Sequence, residues 1–159
     1  MNKLHSFSGG IPLVGHKHVG NIIDCPPPSE LIYPLLQRAE HYATPIVKVG
    51  QRVLKGQVLA QSDSALAPPI HAASSGIVTA IEDRVIAHPS GLSDTCLIIT
   101  PDGLDEAIDY QLCPDYLQEN KADLLTKIHQ AGIMGLGGAL FPTAIKLQSE
   151  QRVHTLIIN

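Results

Sequence analysis

Across residues 45–100 the apolar residues come in short β-branched bursts that glycine interrupts. Ile46, Val47 and Val49 stop at Gly50. Val53-Leu54 runs into Lys55-Gly56, and Val58-Leu59-Ala60 follows. Ile70 to Ala72 leads to Ser74-Ser75-Gly76, after which Ile77-Val78-Thr79-Ala80-Ile81 resumes. Asp83-Arg84 reads as a turn before Val85-Ile86, and Pro89-Ser90-Gly91 breaks the chain. Residues 96–100 then form another burst, ahead of the turn signal Pro101-Asp102-Gly103. Bursts of this length between turn residues are strands. The prediction is a compact all-β unit whose two halves each run strand, glycine turn, strand. Gly50, Gly56 and Gly76 are expected at turns, with positive φ.

The flanks read differently. Residues 1–28 hold Gly9-Gly10, Pro12 and Pro26-Pro27-Pro28, an irregular entry segment. Its apolar residues Phe7, Ile11, Leu13, Val19, Ile22 and Ile23 are expected to wrap the core. Residues 33–45 are ambiguous: Leu35, Leu36 and Ala39 mark a short helical turn bracketed by Pro34 and Pro45. Asp102, Asp105, Glu106, Asp109 and Asp115 make residues 102–118 an acidic linker, read as a solvated connection. The period then changes. Ala122, Leu124, Leu125, Ile128 and Ala131 fall at helical spacing up to Gly132. A second helix is expected from Pro142 to about Gln148, with proline near its start, and a strand over residues 153–158. The predicted organisation is a β unit over residues 1–101, the linker 102–118, and the truncated opening of an α/β layer over 119–159. A buried strand wants neighbours on both sides, so the chain is expected to be the N-terminal piece of a longer protein.

Composition narrows the function. The 159 residues are 44% apolar, 16% charged and 4% aromatic, without tryptophan, and carry a net charge of −4. Such a chain has neither the basic surface nor the stacking platforms of a nucleic-acid binder. No run approaches the ~20 apolar residues that span a bilayer, so direct membrane insertion is not expected. Cys25, Cys96 and Cys113 include no CxxC pair, which leaves no zinc knuckle or iron–sulfur site within this chain, and they read as reduced, intracellular thiols. His16 and His18 have no cysteine or carboxylate partner close in sequence, so no metal is assigned to them. His71 and His88 are read as structural hydrogen-bonders. Ser74-Ser75-Gly76 lacks the G-x-S-x-G form of a nucleophile elbow. No carboxylate pair has a spacing that argues for acid/base work, so no catalytic side chain is assigned.

Residues 47–60 followed by 70–81 resemble the biotinyl/lipoyl carrier family, flattened barrels of two half-repeats also called barrel-sandwich hybrids. A working carrier holds a lysine on the hairpin between its halves. Here that hairpin is Gln61-Ser62-Asp63-Ser64-Ala65-Leu66-Ala67, and no lysine occurs between Lys55 and Lys121. The resemblance therefore implies the fold without the swinging arm.

The run Gly135-Leu136-Gly137-Gly138-Ala139-Leu140-Phe141-Pro142-Thr143-Ala144-Ile145-Lys146-Leu147 carries the sharpest chemistry. Glycines let a backbone approach a ligand closely, and a helix N-terminus offers N–H groups to a phosphate. Lys146, about one turn into the helix, adds a charge. A tight turn packed on a neighbour is the bland alternative. The pattern GLGGAxFPTxxKL is similar to the RnfC family of the Rnf electron-transport complexes, and to the flavin loop of the flavoprotein subunit of respiratory complex I. Phe7-Ser8-Gly9-Gly10-Ile11, Val49-Gly50 to Gly56-Gln57, His71 before the Ser-Ser-Gly turn, and Ala87-His88-Pro89-Ser90-Gly91 agree with the Rnf family. Leu140 stands where that family usually has glycine.

The resemblance implies a barrel-sandwich domain, then a Rossmann-like domain that binds NADH and FMN, a β-grasp-like segment and two 4Fe–4S clusters. It implies an electron-transfer subunit of a membrane-bound, ion-translocating oxidoreductase, held by other subunits at the cytoplasmic side of the bacterial inner membrane. On this reading the cofactor-binding residues are Gly135, Gly137, Gly138, Ala139, Phe141, Thr143 and Lys146. The chain alone is expected to be inactive, to hold no cofactor, and to self-associate weakly as a homodimer. A non-catalytic docking module and the A component of the related quinone reductase are the alternatives.

Overall fold

A computed structural model of the chain describes residues 20–38, 41–135, 140–149 and 154–155. Nine strands come first: β1 (Leu31–Pro34), β2 (Leu36–Arg38), β3 (His41–Tyr42), β4 (Thr44–Pro45), β5 (Arg52–Val53), β6 (Val58–Gln61), β7 (Ile70–His71), β8 (Gly76–Val85) and β9 (Ser93–Pro101). A 3-10 turn, Tyr116–Gln118, precedes α1 (Lys121–Gln130) and α2 (Thr143–Lys146). The strands form antiparallel sheets in the orders β1-β9-β8-β5, β4-β6-β7 and β2-β3.

Between these sheets lies one apolar core, in which Val53, Leu59, Val78, Leu97 and Ile99 have no exposed surface. The β9 strand is buried on both faces, because Cys96 and Ile98, which alternate with Leu97 and Ile99, are also fully covered. All three cysteines are free thiols.

Two near-identical turns explain the repeated Gly-Gln pairs of the sequence. In each, the glutamine N–H closes the turn on a carbonyl three residues back: Gln51 on Lys48 and Gln57 on Leu54, both at 3.0 Å. The glutamine side chain then accepts from the N–H of that same residue, at 3.1 Å in both cases. The third turn residue has φ of +86° at Gly50 and +82° at Gly56, a conformation that glycine adopts without penalty. Each turn is also tied across the barrel, Gly50 N–H to Val78 O and Gly56 N–H to Ala72 O.

Gly76 departs from the expected turn. It lies in β8 without a positive φ, and its small size is required for close approach. A Cβ there would sit 2.3 Å from the Thr100 carbonyl oxygen and 2.8 Å from the Ile99 side chain. Asp83-Arg84 is likewise strand, paired with Thr95 and Asp94 of β9. There the sheet extends past the core, so polar side chains stay exposed while the ladder continues.

The helical turn anticipated around Leu35 is β structure, because β1 joins the free edge of β9 and Leu35 N–H donates to Thr95 O at 3.0 Å. Pro34 is accommodated because β1 is an edge strand. Of the expected strand over residues 46–49, Val47 is buried, while Ile46 and Val49 are exposed. Ile22 and Ile23 are exposed rather than wrapped on the core. Phe7, Ile11, Leu13, Val19, His16 and His18 lie outside the described residues.

The acidic stretch is tied to the barrel through its first half. Lys55 N–H donates to Glu106 O at 2.8 Å, and Ile108 N–H to Lys55 O at 3.0 Å. Arg52 pairs with Asp102 and Glu106, and Lys55 with Asp105. At the centre is the buried Ser75, whose hydroxyl donates to Asp102 Oδ1 at 2.6 Å and accepts from Glu106 N–H at 2.9 Å. The Ser75 hydroxyl, the Leu104 N–H and Arg52 hold the Asp102 carboxyl down to about 2. Tyr110 covers Gly56, where a Cβ would meet its hydroxyl at 2.6 Å. We call residues 102–110 the strap. The acidity that reads as solvation is balanced by two cations of the barrel.

Candidate functional site

The helix α1 begins at Asn120, whose side chain accepts the Asp123 N–H at 2.9 Å, a standard N-cap. It ends in a Schellman motif. Gly132, at φ +70°, donates to His129 O at 2.9 Å, and Ile133 N–H reaches Ile128 O at 3.4 Å. None of its residues is buried.

Its C-terminus rests on the barrel at His71 of β7. His71 is partly buried there, and that burial pushes its pKa down. A Cβ on Gly132 would lie 3.0 Å from Pro69 O and 3.2 Å from His71 Nδ1. Glycine there meets both the positive φ and the close contact.

Beyond Gly132 the chain leaves and returns as a narrow neck. Met134 and Pro142 form an antiparallel bridge. Thr143 N–H donates to Ile133 O at 3.0 Å, and Gly135 N–H to Phe141 O at 2.9 Å. The glycine-rich stretch runs between the two sides of this neck. Leu140 enters the returning side at φ +43°, a left-handed conformation that costs a branched residue roughly 1–2 kcal/mol. That strain supplies a physical reason for glycine at this position.

The helix α2 starts from Pro142 and buries Ala144 against its surroundings. From its last position Lys146 reaches back over the neck. A Cβ on Gly135 would be 2.8 Å from Lys146 Nζ, the end of a flexible side chain, so the ammonium sits directly against the Gly135 backbone. The same Nζ lies 6.0 Å from the centre of the Phe141 ring. Among the described residues no carboxylate forms an ion pair with Lys146. The neck thus presents a cation beside bare backbone, an arrangement suited to an anionic group.

Four of the seven residues singled out by sequence, Gly135, Phe141, Thr143 and Lys146, come together at this neck. Gly137, Gly138 and Ala139 lie outside the described residues, as do most of residues 153–158. Sequence reasoning left Gly132 as a helix stop and His71 as a generic structural histidine. Their juxtaposition was signalled only by a glycine following a helical period.

A cleft of about 480 Å³ is lined by the hairpin residues Ser62, Asp63, Ser64 and Ala65 and by residues of α1 and α2. This is the hairpin on which carriers hold their lysine. His88 has a local role, its Nδ1 meeting Ser90 Oγ at 2.8 Å. Among the described residues no cluster of His, Cys, Asp or Glu could hold a metal ion.

Comparison with known proteins agrees with this architecture. Residues 5–104 match the family described as the RnfC barrel sandwich hybrid domain. The chain is 50% identical over 161 residues to the C component of the ion-translocating oxidoreductase complex of Vibrio cholerae, covering 99% of this chain and 21% of that protein. Its counterpart from Yersinia pestis is 44% identical over 162 residues, covering 99% and 26%. The Pseudomonas aeruginosa protein of the same name is 40% identical over 164 residues, covering 100% and 21%. The chain therefore spans about a fifth to a quarter of the length of these relatives.

Proposed function

This chain belongs to the RnfC barrel-sandwich hybrid family, and on that footing we propose that it forms the N-terminal part of an electron-transfer subunit whose glycine neck receives the phosphate of FMN. One observation carries the reading: the Lys146 ammonium stands against the bare backbone of Gly135, with no carboxylate paired to it among the described residues. A phosphate at the neck would meet that charge together with the backbone N–H groups of the glycine-rich stretch.

The FMN supplies hydride acceptance and single-electron release when bound. The residues of this chain bind and orient it, Lys146 through charge, Gly135 by leaving space, and Thr143 and Phe141 by closing the neck. Residues 119–159 open the Rossmann-like domain in this proposal, and residues 1–101 form the barrel. NADH and two 4Fe–4S clusters belong to the rest of the protein. No helix among the described residues is long and apolar enough to cross a membrane. This proposal also places attachment at the cytoplasmic face of the membrane through the other subunits, and has a short chain that ends here bind FMN weakly and self-associate.

The test is FMN titration of the full-length protein. Lys146→Ala should weaken binding by roughly 1–3 kcal/mol, the value of a charge-assisted contact. Gly135→Ala should weaken it less, since the end of the Lys146 side chain has only to swing aside. Unchanged affinity in both variants would remove the neck from the flavin site.

A further inference from the structure

We infer that the outer edge of β8, over residues 81–85, takes an added strand from a partner protein: an extended segment that sets a basic residue opposite Asp83, between β-branched neighbours. The inference shares with the reading above only the existence of partner subunits, and it does not depend on the flavin site.

The strand β8 is ten residues long, but β5 covers only its start. Arg52 and Val53 pair with Ile77 and Gly76, and Gly50 and Gln51 take the two main-chain bonds of Val78. A register shift follows between Val78 and Ala80. Past it, β9 is the one strand paired with β8 among the described residues. Residues along an antiparallel strand turn their main-chain groups to alternate sides. Ile86 N–H turns inward to Leu92 O at 3.3 Å, so Arg84 and Glu82 turn the same way. Ile81, Asp83 and Val85 are thereby left with N–H and C=O groups on the open side, a template for strand addition.

The side chains select the occupant. Ile81 and Val85 are 37% and 67% exposed. Between them lies the exposed Asp83, whose Oδ1 accepts the Thr95 hydroxyl at 2.9 Å. Neither Asp83 nor the cross-strand Asp94 has a cation partner among the described residues. Their negative field reaches Tyr42, whose pKa Asp94 raises most and Asp83 also raises. A second copy of this chain does not fit the edge. The two-fold register that uses all three open residues sets Asp83 against its own copy, and like charges directly opposite repel. A basic residue there, with β-branched residues two positions to either side, meets the charge, the apolar pair and the open main-chain groups together.

The test is amide hydrogen exchange of the full-length protein, alone and within the complex isolated with its other subunits. In the complex the Ile81, Asp83 and Val85 amides should exchange about tenfold more slowly, the equivalent of one hydrogen bond each. Glu82 and Arg84, already bonded to β9, should not change. Val85→Pro removes an outward donor and leaves the β9 ladder intact, and it should abolish the added protection at Ile81 and Asp83. Asp83→Lys should do the same by repelling the basic residue, and Asp83→Glu should restore it. FMN affinity should not move in any of these variants, so failure of the added strand leaves the flavin reading standing. Equal exchange at the three amides in both states of the parent protein would overturn the inference, whatever the variants do. Protection of residues 81–85 all alike would show a covered hairpin rather than an added strand, and would overturn it too. Protection that grows with concentration in the isolated protein would make the occupant a second copy and overturn the charge argument.

Discussion

The barrel and the neck are built on different physical terms. In the barrel, side chains with no exposed surface come from strands far apart in sequence, among them Val53, Val78 and Leu97, and main-chain pairing follows their burial. At the neck the order is reversed. Burial is limited to Pro142 and Ala144, and shape comes from backbone hydrogen bonds and a Schellman ending set close against Pro69 and His71 of the barrel. A region held by burial resists opening. A region held by a few main-chain bonds opens locally at little cost, as ligand-binding segments generally do. The fold thus places its candidate chemistry on its thinnest part and supports that part from its thickest.

The comparison can be broken most directly in the barrel. Leu97→Ala removes a fully buried side chain from the centre of the core, and urea unfolding should show a loss of about 2–5 kcal/mol. Leu125→Ala on α1 should cost far less, since that residue is only partly covered. Similar losses in the two variants would mean that the helices share the barrel's core.

Gly76→Val comes next, at about 1–3 kcal/mol from overpacking against the Thr100 carbonyl. Gly50→Ala, with open space around its Cβ position, isolates the conformational cost of a positive φ.

Ser75→Ala should cost about 1–3 kcal/mol, since it leaves the Glu106 N–H unsatisfied beneath the strap. The associated pH dependence has a definite sign. The Asp102 carboxyl titrates at about 2 in the folded protein against 3.8 as the ordinary value, so folding favours its charged form. Its contribution is complete above pH 3.8 and is lost as pH falls through about 2. Urea midpoints should decline over that window in the parent protein, and the decline should be shallower in Asp102→Asn.

The smallest effect belongs to Lys127→Ala. Lys127 pairs with Glu119 at 2.8 Å, but both side chains are substantially exposed. The urea midpoint should not move measurably.

Much of this organisation was legible in the residues. Bursts of β-branched residues located most of the strands, because a strand's apolar density is local information. The helical period of residues 122–131 and the stop at Gly132 located α1 to within a residue at each end. The candidate site was legible through its glycines and Lys146. Position along the chain does not reveal why a glycine is needed: Gly76 resembles Gly50 in sequence, yet one avoids a clash and the other adopts a positive φ. The strap was missed because its partners, Arg52 and Lys55, lie 50 or more positions earlier. The approach of Gly132 to Pro69 and His71 could not be read from the sequence for the same reason.

The strap also decides where this protein can be cut. The family match closes at residue 104, and the last strand closes at Pro101. A chain shortened to either boundary would lose Asp105, Glu106 and Tyr110, removing the partners of Ser74, Lys55 and Gly56 in one step. An expressed barrel that ends after Tyr110 keeps its seal, whereas one trimmed to the boundary that sequence similarity draws exposes a hole at its own base.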